Sequence, residues 1–247
     1  MNRFLVAFLF AFIVGTSPVA AQTIDGGAYF SPITDNVQPL IHGSLFSKSY
    51  LEKKGRGTAR SRNLPRDAGR ATTAGSIPVR FDPAISREVR DEYIASIERS
   101  SGTRAARSLG RYYASNDVHA LLRKAVSPYG LRIDDFGDVT TAYFAVMWMT
   151  ANDAPLPGVD EVSGLRMQTH AALADRGRVP DDAVRRQRVA ESLMYQTVTL
   201  IRVRETAQAA GNRDFLAQLA DSAQDAMARQ GVDLRDLALT DAGFRPR

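Results

Sequence analysis

The stretch Asp138–Thr150 constrains this chain more than any other. It carries the single tryptophan, Trp148, and no residue from Ala142 to Met149 is charged. A helix that is apolar on every side has to be wrapped by other elements. The segment therefore predicts a buried central helix, over about residues 135–152, at the middle of a helical domain.

Punctuation on either side divides the chain into further helices. Asp82-Pro83 combines an N-cap carboxylate with proline at the first helical position, where the missing N–H does no harm. Ile85, Val89, Tyr93, Ile94 and Ile97 then share one helical face, and Gly102 ends that helix. A second helix starts at Thr103, with Leu109, Tyr112 and Tyr113 inward. A third follows Asn116 or Asp117 and runs to Pro128, with Val118, Leu121, Leu122 and Val126 on its face. Either Asp134 or Asp135 can cap the central helix, which finishes at Asn152-Asp153. A fifth helix spans about 160–176, with Val162, Leu165, Met167 and Leu173 apolar and Gly177 as its stop. The longest runs from Asp181 or Asp182 to about Ala210, with Val184, Ala190, Leu193, Met194, Thr197, Leu200 and Ile201 as its buried stripe. Asn212 caps the seventh, faced by Phe215, Leu216, Leu219, Ala223 and Met227. No stretch shows the strict alternation of a strand, so the expected fold is all-α: about seven helices around a buried central one. Leucines from Val232 to Leu239, with Phe244, predict a short C-terminal element folded back on the core.

The N-terminal third reads differently. Arg3 precedes eleven apolar residues, Phe4 to Val14, which is about half of what a bilayer core requires. Gly15, Ser17 and Pro18 break the run, and Val19-Ala20-Ala21 presents small residues for a signal peptidase, predicting cleavage after Ala21. The expected domain plan is a signal peptide over 1–21, a flexible basic arm over 22–79 and a helical domain over 80–247. The location implied is secreted or periplasmic, with no membrane span after cleavage. The arm holds eight basic and four acidic residues, whereas 80–247 holds 23 of each. Residues 48–79 have almost no large apolar side chains and cannot bury enough surface to offset the entropy of ordering them. Their charge offers contact with an anionic envelope surface through residues 48–70, or simply keeps a linker soluble. No aromatic residue interleaves with the basic ones from Lys53 to Arg70, which argues against a stacking platform for nucleic acid.

From about Phe81 onward the chain resembles a family of secreted proteobacterial proteins whose function is unknown. The likeness rests on Gly130-Leu131, Ala142-Tyr143 with Trp148, Arg166 with Gln168, and Gln187, Ala190 and Glu191. It continues through Gly231-Val232-Asp233-Leu234 and Leu239-Thr240-Asp241-Ala242-Gly243-Phe244. The resemblance implies a helical fold and an extracytoplasmic location, and lends no activity.

Chemistry is sparse. The chain has no cysteine, which removes disulfides, thiol catalysis and cysteine-ligated metal centres. Of three histidines, His170 has no ligand three or four residues away, and His119 has only Asp117 near it, so neither predicts a metal site. No phosphate loop, dinucleotide fingerprint or Gly-x-Ser-x-Gly elbow is present, and no cofactor is implied. What remains is a polar set: Gln187, Glu191 and Tyr195 in one row of the longest helix, with Tyr143, Trp148 and Gln168 on helices expected nearby. One reading is a pocket with Glu191 as general base or ligand anchor. The other is a satisfied cluster in which Glu191 pairs with Arg166 or Arg188, the commoner fate of such residues. The expected function is accordingly a binding or structural domain tethered by a basic arm. The alternatives are a hydrolase acting on an envelope component and an apolar-ligand carrier with its cavity beside Tyr143 and Trp148.

Overall fold

The protein is described here by a computed structural model covering residues 75–176 and 179–247. The signal segment, the arm up to residue 74 and the stop at Gly177 lie outside the described residues. The described part is all-α, with six helices and one small hairpin. They are α1 (Pro83–Ser115), α2 (Val118–Val126), α3 (Phe136–Ala151), α4 (Val159–Arg176), α5 (Ala183–Ala209) and α6 (Arg213–Ala228). The hairpin joins β1 (Leu237–Thr240) to β2 (Gly243–Pro246), antiparallel, with Leu239 opposite Phe244.

Six helices stand where seven were expected because α1 is two rods under one label. Gly102 breaks it with φ 79° and ψ 167°. The caps fall on or among the residues the sequence offered: Asp82, Asp117, Asp135, Asp182 and Asn212 each accept a hydrogen bond from the first turn of their helix. Between the two carboxylates open for α3, Asp135 takes the role, while Asp134 turns outward to Arg132.

Helix α3 is the centre. It packs against α5, α4 and α6, and α1 lies across α5. Of its residues, only Val146 and Trp148 are less than fully buried. Phe144 and Met147 are wholly enclosed, with Leu165 and Leu173 of α4 and Phe244 of the hairpin among the largest side chains in the core. Helix α3 is thus enclosed on all sides, as its composition requires.

Two residues placed on buried faces are on the surface instead. Met167 of α4 is 58% exposed and Val184 of α5 is 45% exposed. Both lie next to true core positions in the helical wheel, but no neighbouring element covers their side of the helix. The packed domain also begins earlier than residue 80. Val79 is buried, its N–H donates to the Asp134 carbonyl at 2.9 Å, and the Phe136 N–H donates to the Ile77 carbonyl at 2.8 Å.

The C-terminal element folds back as expected, but as a hairpin. Its turn rests directly on α4: a Cβ at Gly164 would lie 2.2 Å from the Asp241 carbonyl oxygen, so only glycine permits this approach. Each strand has four residues, too few to carry a readable alternation.

Candidate functional site

The row on α5 meets the start of α1 and α2. Gln187 is buried and clamps residue 82 through its backbone, accepting from the Asp82 N–H at 3.0 Å and donating to the Asp82 carbonyl at 2.9 Å. One turn on, Glu191 is completely buried. Its Oε1 accepts from Ser86 Oγ at 2.5 Å and Gln187 Nε2 at 3.2 Å, and lies 3.0 Å from His119 Nε2. Its Oε2 is buried with no hydrogen-bond partner.

Among the described residues no arginine joins this carboxyl. Arg166, expected as one partner, is committed to Asp138 at 2.6 Å. Arg188, the other, lies over α1 and pairs with Glu88 and, at 2.9 Å, Glu92. The pairing with arginine is therefore overturned: both guanidinium groups have carboxylates closer to their own helices, and Glu191 faces α1 and α2.

His119 occupies the first turn of α2 and is half-buried, not on the surface as a lone helical histidine would be. Its ring packs on Phe81 with centroids 4.4 Å apart. Besides Glu191 on Nε2, Asp117 Oδ1 lies 3.5 Å from Nδ1. The imidazole is thus flanked by two carboxyl groups, a buried one behind and an exposed one in front. Over it opens a cleft of about 360 Å³ lined by Phe81, Ser86, Arg90, Tyr113, His119 and Tyr195, among others.

Tyr195 forms the cleft wall. Its ring stacks on Tyr93 at 5.2 Å and meets the edge of Tyr113 at 4.9 Å. The Tyr93 and Tyr113 hydroxyls both reach Thr199 Oγ1, at 2.8 and 2.7 Å. Burial, then the Glu191 charge, pushes the Tyr195 phenol well above its usual value, and burial does the same for Tyr113. Both phenols stay protonated throughout the physiological range.

The remaining candidates sit elsewhere. Trp148 Nε1 donates to the Leu237 carbonyl at 2.9 Å. Gln168 donates to the Phe244 carbonyl at 3.1 Å and accepts from the Phe244 N–H at 2.8 Å, so both residues hold the hairpin. Tyr143 is buried against Phe144, at 5.7 Å between ring centroids. The six candidates divide into a cleft group (Gln187, Glu191, Tyr195), a hairpin group (Trp148, Gln168) and a core residue.

A second polar cluster lies at the start of α3. Asp135, Asp138 and His170 are all buried, with one ligand-type atom of each within 4.8 Å of the others. The four carboxylate oxygens are all engaged, while His170 Nδ1 is buried with no hydrogen-bond partner among the described residues. Asp135 accepts from Ser76 Oγ and from the N–H groups of Ile77, Gly137 and Asp138. Asp138 accepts from the Arg132 N–H and twice from Arg166, and lies 2.9 Å from His170 Nε2. A cation here would have to displace a bidentate guanidinium, so the cluster is a helix-start anchor. Burial works against the Asp138 charge, but the bonds to His170, Arg166 and Arg132 outweigh it and hold its pKa below the ordinary value.

Ser86, His119, Asp135 and Asp138 are site residues that sequence reasoning did not assemble. Their partners are on other helices, where no local spacing points. No protein-family model, curated protein or solved structure matches the chain.

Proposed function

We propose that the protein is a secreted or periplasmic helical binding domain whose ligand enters the cleft above Glu191. The observation that carries this reading is the state of that carboxyl. It is wholly buried, among the described residues it pairs with no arginine or lysine but only with the His119 imidazole, and one oxygen lacks any hydrogen bond there. An unsatisfied buried polar atom costs about 1–3 kcal/mol, and of the five such side-chain atoms among the described residues this one lies behind the cleft. Directly outside it lie His119 and Ser86, which line an open cleft of the size small ligands use. Its lining joins aromatic rings (Phe81, Tyr113, Tyr195) to polar and charged side chains, Ser86, Arg90, Asp117 and His119 among them.

The test is a titration of isotope-labelled mature protein with fractionated envelope extract, followed by NMR. At least one fraction should shift the His119 ring and the Ser86 amide while leaving the hairpin resonances in place. Unchanged cleft resonances in every fraction would overturn the reading.

The basic arm belongs to the same proposal as an electrostatic tether. Its eight basic residues against four acidic ones favour an anionic surface. Among the described residues no helix is long and apolar enough to cross a membrane. Anionic vesicles should retain the mature chain more strongly than a variant lacking 48–70, and equal retention would remove the tether.

A further inference from the structure

The geometry points to Ser86 as a nucleophile for acyl transfer, with Glu191 as its base, an inference that rests on the cleft being a ligand site. Hydroxyls that back-bond within a helix donate to the carbonyl four residues earlier, at 2.7 Å for Thr140, Thr141, Thr150 and Thr197 and at 3.0 Å for Ser100. Ser86 differs in having a carboxyl within reach as well. The carbonyl four residues back, that of Asp82, is 3.1 Å away, while Glu191 Oε1 is at 2.5 Å. The single hydroxyl proton goes to the shorter, charge-assisted acceptor. A half-buried serine that opens on a cleft and hands its proton to a buried carboxyl is the arrangement of an activated hydroxyl.

The surrounding groups have distinct tasks. Glu191 Oε2 makes no hydrogen bond among the described residues, so a proton can be placed on the carboxyl without a lost contact. His119 shares Oε1 with Ser86 and lines the cleft, where its Nε2–H donates to the Glu191 carboxylate and holds it against Ser86. Arg90, four residues beyond Ser86 on the same face of α1, lines the cleft; its guanidinium pairs with the exposed Asp91 at 2.8 Å and would have to leave that pair to meet a developing oxyanion. The Phe81, Tyr113 and Tyr195 walls suit a small ester with an apolar acyl or alkyl group.

The reaction balances as ester hydrolysis. Ser86 Oγ attacks the ester carbonyl carbon as its proton moves to Glu191. The tetrahedral oxyanion collapses, the C–O bond to the alcohol breaks, and the alcohol leaves with the proton held by Glu191. Water then attacks the Ser86 ester while Glu191 takes its proton and returns it to Ser86 Oγ. The products are the free acid and the alcohol, with the side chains restored.

The experiment treats the full mature chain with a fluorophosphonate probe and, separately, with p-nitrophenyl acetate. One label should map to Ser86. S86A should abolish both labelling and hydrolysis, and E191Q should slow labelling by about 100-fold. Circular dichroism of S86A should match that of the parent chain. Absence of labelling in the parent chain, labelling at another residue, or equal hydrolysis by S86A would overturn the inference. If the parent chain is not labelled but envelope fractions still shift the His119 ring, acyl transfer fails and ligand binding stands. If neither occurs, both fail.

Discussion

His119 on α2 and Glu191 on α5, 72 residues apart, meet at 3.0 Å beneath an open cleft. The contact decides which imidazole nitrogen carries the proton when the ring is neutral. Nε2 faces a carboxyl oxygen that accepts, so the Nε2–H tautomer should dominate. Two-bond proton–nitrogen NMR of the His119 ring reads this directly, and a dominant Nδ1–H form would contradict the geometry. In Glu191→Leu the acceptor is gone and the preference should fade.

Asp138 should give the fold a distinct acid limb. Its folded pKa is lowered by His170, Arg166 and the Arg132 N–H against the opposing effect of burial. A depressed carboxyl pKa contributes stability that is complete above the ordinary value of 3.8 and is lost as pH falls through the lowered folded value. Asp138→Asn should cost about 3 kcal/mol at pH 7, because it strips Arg166 and His170 of a buried charged acceptor. The cost should shrink on acidification. Urea titrations at pH 7 and pH 3 measure both quantities, and an unchanged cost at pH 3 would show that the Asp138 charge is not responsible.

The hairpin offers a test with a built-in reporter. Gln168→Ala removes both bonds to the Phe244 backbone and should destabilise the fold by about 1–3 kcal/mol. Amide exchange at Phe244 should quicken more than exchange in α3. Gly164→Val should act more strongly, since its side chain would collide with the Asp241 carbonyl. Trp148 is the only tryptophan and is bonded to the hairpin, so undocking should shift its emission to the red.

A matched pair on α4 checks the burial assignment. Leu165→Ala should cost about 2–5 kcal/mol because the side chain is wholly enclosed. Met167→Ala, two residues away and more than half exposed, should stay within about 0.5 kcal/mol. Comparable costs would mean that Met167 is covered in solution.

A clamp is repeated in two places. Gln187 engages both the N–H and the carbonyl of Asp82, and Gln168 does the same for Phe244. A side-chain amide presents one donor and one acceptor at the spacing of a peptide group, so it can bond a distant backbone as a strand would. Gln187 was legible as a polar residue on a buried row. That its amide serves the α1 start, and so sets Ser86 against Glu191, was not.

By itself the sequence determined what depends on near neighbours. The all-α class, the wrapped central helix, the caps Asp82 and Asn212, the neighbouring pairs that hold the other three caps, and the break at Gly102 all follow from side chains acting within about one turn. Tertiary structure decided what depends on facing surfaces. It left Met167 and Val184 uncovered and sent Arg166 to Asp138. It took Trp148 and Gln168 to the hairpin, and it brought His119 and Ser86 to the Glu191 row. Periodicity tells which residues share a face, and a charge tells that a partner is needed. Which face meets which, and which partner is nearest, is settled only when the helices pack.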